Sequence, residues 1–370
     1  MSAKVIVAVD KFKGSLTGAA ARRAVSETLA GAGLESVGFP LADGGEGTLD
    51  AVEEFGFESV PVVVPGPTGE PVSTRYARSG STSVVELADA CGMMRLPGGK
   101  LAPLDSSTVG LGRVMATALA DPSTESLVVG LGGSASTDGG AGLLAGLGAK
   151  LLDKNGCLVT PGARSLGAIE AIDLAPVREV LAGREIVLAC DVSNPLLGPE
   201  GAVSVYGPQK GLLADAARRV EHNMSHWADV LAAACGQDCR DQPGAGAAGG
   251  TGFAALSALG ARTLPGVALI LELGRFGELL AGASLIVTGA GCIDRQDLMG
   301  KAVAGVCAAA QGVPVVAVCG QCTLTQPQLA ELGLSAVYPL AGLATTPAEA
   351  MRNADSLLRR ATRQLVQAWF

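Results

Sequence analysis

The chain has 370 residues, 48% hydrophobic and 17% charged, which excludes a disordered protein and favours two domains over one core. A net charge of −8 and 3% aromatic residues exclude a general nucleic-acid backbone binder and a base-stacking surface. Any phosphate is therefore bound at a local site. Nine cysteines scattered through so long a chain form no disulfide framework and point to a reducing compartment. The apolar run Val5 to Val9 is too short for a signal segment or a membrane span, so a cytoplasmic protein with no membrane partner is expected.

Residues 4–10 (KVIVAVD) predict a buried strand of the parallel type, and Ser15 or Thr17 then caps a helix to about Ala30. A second strand over 36–41 runs into Asp43-Gly44-Gly45-Glu46-Gly47-Thr48 and a helix through Phe55. Two strand–loop–helix units in succession predict an α/β fold with loops at the carboxyl ends of its strands. From about Glu58 the rhythm changes to short strands at 60–64, 75–77 and 83–87 with Pro/Gly turns between them. A helix over 108–119 follows, then a strand at 127–129 that breaks into glycines. The run 186–191 (IVLACD) is another buried strand, followed by Val192-Ser193-Asn194-Pro195. Gly207-Pro208-Gln209-Lys210-Gly211 leads to an amphipathic helix over 218–234, and a second glycine-rich junction at 243–252 opens a helix to Leu259. From Ser284 the simple rhythm returns, with strands at 285–288, 313–318 and 336–340 and one last amphipathic helix over 347–368.

The first two and last three strands are assigned to one five-stranded parallel sheet. The expected fold is thus α/β, a flavodoxin-like parallel-sheet domain (1–57 and 283–370) interrupted by an inserted α/β domain (58–282). A cleft between the two domains is the expected ligand site.

The stretch LVVGLGGSASTDGGAGLLAGLGAK (127–150) has the composition of a phosphate site. Glycines at a strand-to-helix junction let backbone N–H groups approach a ligand. Gly132, Gly133, Ser134 and Ser136 supply donors, and Asp138 the charge that could hold a metal. A tight turn has the same composition. Asp43 and Glu46, three apart among glycines, either bind Mg²⁺ or a substrate hydroxyl or cap a helix. Asp191 either caps a turn or is aimed at a ligand, Lys11 and Lys13 either offset anionic charge or are solvated, and Asp294 follows the third strand of the simple sheet.

Other patterns carry less. Gly244, Gly246 and Gly249 match a dinucleotide motif, but no strand precedes them. Gly300-Lys301 is followed by Ala302, so there is no P-loop. Cys319-Gly-Gln-Cys322 has redox spacing, and His222 and His226 with Cys235 and Cys239 have zinc-like spacing; buried thiols and an amphipathic helix are the alternatives. Carboxylates and lysines gathered at strand-to-helix loops suit phosphoryl transfer, where the protein positions groups and stabilises charge.

Taken together, DKFKGSL, ADGGEGT, GLGGSASTDGGAG, ACDVSNPL, GPQKG, PGAGAAGG and TGAGCIDRQDLMGK resemble the bacterial glycerate kinase family, in order and over essentially the whole chain. The resemblance implies phosphorylation of D-glycerate by ATP with Mg²⁺, with a related hydroxy acid, the 3-phosphate product or a catalytically weak ligand-binding relative as rivals. A homodimer is carried as an expectation. By position, the resemblance assigns Asp191 to orient or deprotonate the substrate hydroxyl and Lys13 to hold anionic charge. It also assigns Asp10, Asp43, Gly44, Glu46, Asn194 and Asp294 to substrate, and Gly132, Gly133, Ser134, Ser136, Asp138 and Lys210 to ATP. Asp138 and Asp43 are the implied Mg²⁺ ligands, and Lys301 matches a further motif position. Three departures stand out: Gly289-Ala290-Gly291-Cys292 where the family has Gly-Glu-Gly-Arg, Ser136-Thr137 where it has Thr-Asn, and Lys11 where it has serine.

Overall fold

The structure, a computed structural model, describes residues 4–295, 297–299 and 301–370. Gln296 and Gly300 of the TGAGCIDRQDLMGK stretch lie outside the described residues. The chain forms two compact units, one from the segment up to Ala42 with Val267–Phe370, the other from Asp43–Gly266.

The first unit opens with β1 (Lys4–Val9), whose apolar residues are buried on both faces as a central parallel strand requires. Thr17 caps α1 (Gly18–Gly31) by accepting the Ala20 N–H. Strand β2 (Glu35–Gly38) ends earlier than its apolar pattern suggests. Phe39 still donates to the Val7 carbonyl, but Pro40 has no N–H with which to continue the ladder.

The second unit then runs α2 (Thr48–Glu54), β3 (Glu58–Pro65), β4 (Pro71–Ser79), β5 (Thr82–Glu86), α3 (Leu87–Cys91), α4 (Val109–Leu119), β6 (Ser126–Gly130) and α5 (Ala141–Gly146). It continues with β7 (Lys150–Leu152), β8 (Ala171–Asp173), α6 (Ala175–Leu181), β9 (Glu185–Ala189), α7 (Ala202–Tyr206), α8 (Ala214–Cys235), α9 (Ala247–Leu259) and β10 (Arg262–Leu264). Back in the first unit come α10 (Gly266–Leu273), α11 (Phe276–Leu279), β11 (Ala283–Ile293), α12 (Ala302–Ala309), β12 (Val315–Cys322), α13 (Gln326–Leu332), β13 (Ala336–Pro339), α14 (Pro347–Arg352) and α15 (Ala354–Trp369).

In the first unit the sheet order is β13-β12-β11-β1-β2, every pair parallel. That is the doubly wound, flavodoxin-like order, with the other unit inserted between its second and third strands. In the second unit the order is β10-β9-β6-β5-β4-β3; the first four strands are parallel and the β3–β4–β5 meander is antiparallel. Each sheet has its own apolar core.

The division between units falls at 42/43 and 266/267, where the change of rhythm suggested 57/58 and 282/283. Helix α2 packs on β4 and β5 and so belongs with the second unit. Phe276 of α11 packs edge-on against Phe39, ring centroids 5.0 Å apart, which ties that helix to the first. The single last helix expected over 347–368 is two, α14 and α15, separated at Asn353. Among the described residues no helix is long and apolar enough to cross a membrane.

Candidate active site

Strands β5, β6, β9 and β10 run parallel, so Glu86, Gly130, Ala189 and Leu264 all end at one edge of the six-stranded sheet. Such carboxyl-terminal edges are where open α/β sheets bind ligands. The loops leaving it meet main chain to main chain: Gly132 N–H donates to the Gly44 carbonyl at 3.2 Å and Leu131 N–H to the Ala189 carbonyl at 3.3 Å. Gly44 has φ 80°, and a Cβ on it would lie 2.7 Å from the Ala189 carbonyl oxygen. A Cβ on Gly132 would lie 2.4 Å from Gly45 Cα. Only glycine allows this interlock.

The interlock brings candidate side chains together. Asp43 Oδ1 accepts the Gly45 N–H at 3.1 Å, which turns the loop. Asp191 Oδ1 accepts the Gly266 N–H at 2.7 Å, at the first residue of α10. A Cβ on Gly266 would lie 2.2 Å from the Asp43 carbonyl oxygen, so one residue joins the Asp43 and Asp191 loops. Asp43, Gly44, Glu46, Gly132, Gly133 and Asp191 thus share one edge, with Glu46, Gly133 and Asp191 exposed and Asp43 half-buried.

Beyond Gly133 the same stretch turns inward. Lys210 is 3% exposed, and its Nζ donates to Ser134 Oγ at 2.8 Å and to the Ser136 carbonyl at 2.5 Å. Burial lowers its pKa to about 8, with the Asp138 carboxylate opposing that shift. Lys210 therefore supports the loop from inside, where the sequence suggested contact with ATP. Asp138 is wholly buried: Oδ2 accepts from Thr108 N–H and Thr108 Oγ1–H, both at 2.8 Å, and from Gly142 N–H at 3.2 Å. Its Oδ1 accepts the Gly140 N–H at 3.2 Å. A carboxylate so enclosed ties the starts of α4 and α5 together and does not fit a metal or phosphate ligand. Trp227 of α8 donates to the Gly139 carbonyl at 2.9 Å, and Gly139 N–H donates to the Gly249 carbonyl at 3.0 Å. The hydroxyls of Ser136 and Thr137 are buried without a hydrogen-bond partner among the described residues. Asn194 donates from Nδ2 to the Glu200 carbonyl and accepts the Tyr206 hydroxyl at 2.6 Å, so its amide orders its own loop.

An apolar strand pattern conceals Glu86 in the sequence. It is 6% exposed at the end of β5, with Oε2 accepting the Leu49 N–H at 3.0 Å and Oε1 the Gly47 N–H at 3.4 Å. Burial, with Asp89 and Asp50 nearby, raises its pKa to about 7 against those two N–H groups. A carboxylate in an otherwise apolar strand was the available signal.

In the first unit the register sets Val9 beside Gly289, Ala290 beside Cys319 and Cys292 beside Gln321. Asp10, Lys11 and Lys13 therefore leave β1, and Asp294 and Lys301 follow β11, at one carboxyl-terminal edge. Lys13 and Lys301 are exposed, and Asp10, Lys11 and Asp294 half-buried. Asp10 Oδ1 accepts the Lys11 N–H at 2.7 Å, and Asp294 N–H donates to Asp297 Oδ2 at 2.8 Å. Burial raises the Asp297 pKa. Cys292 Sγ accepts from Gln321 Nε2 at 3.4 Å and donates to Asp294 Oδ2 at 3.8 Å.

The weaker patterns resolve as structure. The turn at 244–250 is packed against the 136–139 loop, and Gly246 N–H donates to the Asn194 carbonyl at 2.9 Å. His226 lies 2.8 Å from the Ile169 carbonyl, and α8 buries Val220, Met224, Trp227 and Leu231. Among the described residues no group of three or more His, Cys, Asp or Glu is placed to hold a metal ion. Burial raises the Cys319 thiol pKa, and the cysteines are free.

The family model described as "Glycerate kinase family" matches residues 5–370. The chain is 37% identical to the glycerate kinase of Halalkalibacterium halodurans, over 99% of this chain and 98% of that one. It is 35% identical to the glycerate 2-kinase of Escherichia coli, over 98% and 97%. A crystal structure from Salmonella typhimurium LT2, provisionally named glycerate kinase 2, superposes with a TM-score of 0.83 at 33% identity, over 100% of this chain and 99% of that one.

Proposed function

The chain belongs to the glycerate kinase family, and we propose that it transfers the terminal phosphoryl group of ATP to the 2-hydroxyl of D-glycerate. The observation that carries this reading is the glycine interlock, which gathers Asp43, Glu46 and Asp191 at the edge where Gly133 and Ser134 follow. The similarity to a glycerate 2-kinase favours the 2-hydroxyl. Asp191, fixed by the Gly266 N–H, orients the substrate hydroxyl and receives its proton. Lys13 offsets substrate or phosphate charge, with Asp10 and Asp294 as further substrate residues. The N–H groups of Gly133 and Ser134 face the phosphates, as glycine-rich strand-to-helix loops do, while the Gly132 N–H holds the Gly44 carbonyl.

Mg²⁺ takes oxygen ligands, usually one or two carboxylates together with substrate phosphates. Asp43 fits that part and the saturated Asp138 does not. When bound, the ion neutralises phosphate charge. The test is Asp191→Asn: kcat falls by about two to four orders of magnitude while the protein stays folded, and NMR of the wild-type product shows 2-phosphoglycerate. Near-wild-type turnover would remove Asp191 from its role, and 3-phosphoglycerate would overturn the regiochemistry.

A second reading, a kinase of a related hydroxy acid, is favoured by Ala290 and by the Cys292 contacts with Gln321 and Asp294. ADP release measured on glycerate, lactate and tartronate separates it from the first reading and from a catalytically weak relative.

A further inference from the structure

Helix α2 begins without a side-chain cap of its own: its N-cap residue is Gly47, with φ 96°. The first N–H groups of a helix need acceptors, and a carboxylate there also meets the positive end of the helix dipole. Both needs are met from the neighbouring strand, where buried Glu86 accepts from Gly47 and Leu49. From the other side Thr48 Oγ1 donates to the Gly45 carbonyl at 2.7 Å. These contacts fix residues 45–49, so that Glu46 lies within the held segment and Asp43 two residues before it. Apolar Val84, Val85 and Leu87 flank Glu86, so packing of β5 alone gives no reason for a charge there.

We infer that Glu86 is a positioning residue for the substrate loop, holding residues 43–46 in register with the glycine interlock by capping α2 from β5. The inference rests on the reading of Asp43 and Glu46 as substrate residues. As a carboxylate, Glu86 accepts both N–H groups; protonated, it gives up part of that capacity, and the loop loosens. The charged groups that act on it are Asp89 of α3 and Asp50 of α2, which are themselves paired with arginines. Arg75 pairs with Asp50 at 2.5 Å and Glu53 at 2.6 Å, and Arg95 pairs with Asp89.

The pH behaviour separates positioning from mere stabilisation. With its folded pKa raised to about 7, Glu86 adds stability that is fully present below its unfolded value, near 4.5, and lost as pH rises through 7. Loop capping needs the ionised form, which prevails above 7. Stability and catalytic competence assigned to this group therefore run in opposite directions between pH 5 and 8.

The experiment compares full-length wild type and Glu86→Gln, with glycerate and ATP kinetics from pH 5.5 to 8.5 and amide hydrogen exchange over residues 44–49. At pH 8 the variant raises KM for glycerate about tenfold, about 1.4 kcal/mol, with kcat changed less than threefold. It also removes the acid limb near pH 7 from kcat/KM and accelerates exchange at Gly47 and Leu49. The wild-type advantage in Tm is larger at pH 5.5 than at pH 8. Unchanged exchange, or an acid limb that survives in Glu86→Gln, overturns the inference. Faster exchange with an unchanged glycerate KM shows that the cap exists but that the loop does not bind glycerate, which overturns the substrate reading and the inference with it. If the variant does not fold, wild-type exchange at Gly47 and Leu49, corrected for intrinsic rate, still decides: protection falls below pH 7, or the inference fails.

Discussion

Two parallel-sheet edges of this molecule carry charge in opposite ways. At the edge of the five-stranded sheet, Lys13 and Lys301 are exposed, and Asp10, Lys11 and Asp294 half-buried. At the edge of the six-stranded sheet, Glu86, Asp138 and Lys210 are buried behind loops of glycine and serine, each hydrogen-bonded to backbone. The exposed charges, to which Glu46 and Asp191 of the six-stranded edge also belong, are open to a ligand; the buried three shape backbone. An exposed cation can pair with an incoming anion at little cost in folding stability. A buried carboxylate is retained only if several donors satisfy it. Charged residues in a glycine-rich motif are therefore of two kinds, and only burial tells them apart.

The largest test of that contrast is Asp138→Asn. Four protein donors surround the Asp138 carboxylate, and an amide would turn an N–H₂ toward some of them. The expected loss is on the order of 3 kcal/mol of unfolding free energy, read by denaturant titration, and it precedes any loss of turnover by the folded fraction. A metal ligand would behave conversely, with stability nearly unchanged and kcat collapsing. That result would put Asp138 back in the site.

Lys13→Ala probes the other edge. Here the expectation is a rise of about tenfold in KM for glycerate or ATP, about 1.4 kcal/mol, with unfolding free energy within about 0.5 kcal/mol of wild type. A large drop in stability without a kinetic effect would show that Lys13 is part of the scaffold, and the contrast between the two edges would fail.

The sequence makes one of these edges easier to read than the other. Strands β1, β11 and β12 are continuous apolar runs, and polar loop residues follow them directly, so the five-stranded sheet and its carboxyl-terminal edge could be drawn from pattern alone. In the second unit, β5, β6 and β9 were legible as strands, but glycines do not name their partners: nothing local to Gly44 or Gly132 says that they touch Ala189 and Gly45. The direction of a charge was equally hidden. Lys210 and Asp138 stand among ligand-like residues and point into the fold, Asp138 onto the starts of α4 and α5 and Lys210 onto Ser134 and Ser136, a tertiary fact. Glu86 was hidden for the opposite reason, since its strand pattern explained its neighbours so well.

The smallest expected effect tests how far the exposed edge tolerates substitution. Lys11 stands where the family has serine, and Cys292 where it has arginine. Because β1 and β11 are adjacent and parallel, with Val9 beside Gly289, the two departures lie at the same edge of the same strand pair. Against the pattern that the motifs resemble, β11 has one cation fewer and the loop just past β1 one more. We predict that Lys11→Ser raises KM for glycerate about two- to fivefold, less than about 1 kcal/mol, with unchanged stability. Adding Cys292→Arg to that variant restores KM toward wild type. A Lys11→Ser enzyme with unaltered affinity and turnover would show that Lys11 does not stand in for the missing arginine. The edge would then bind its substrate with one cation fewer, as a related hydroxy acid with a different anionic group would require.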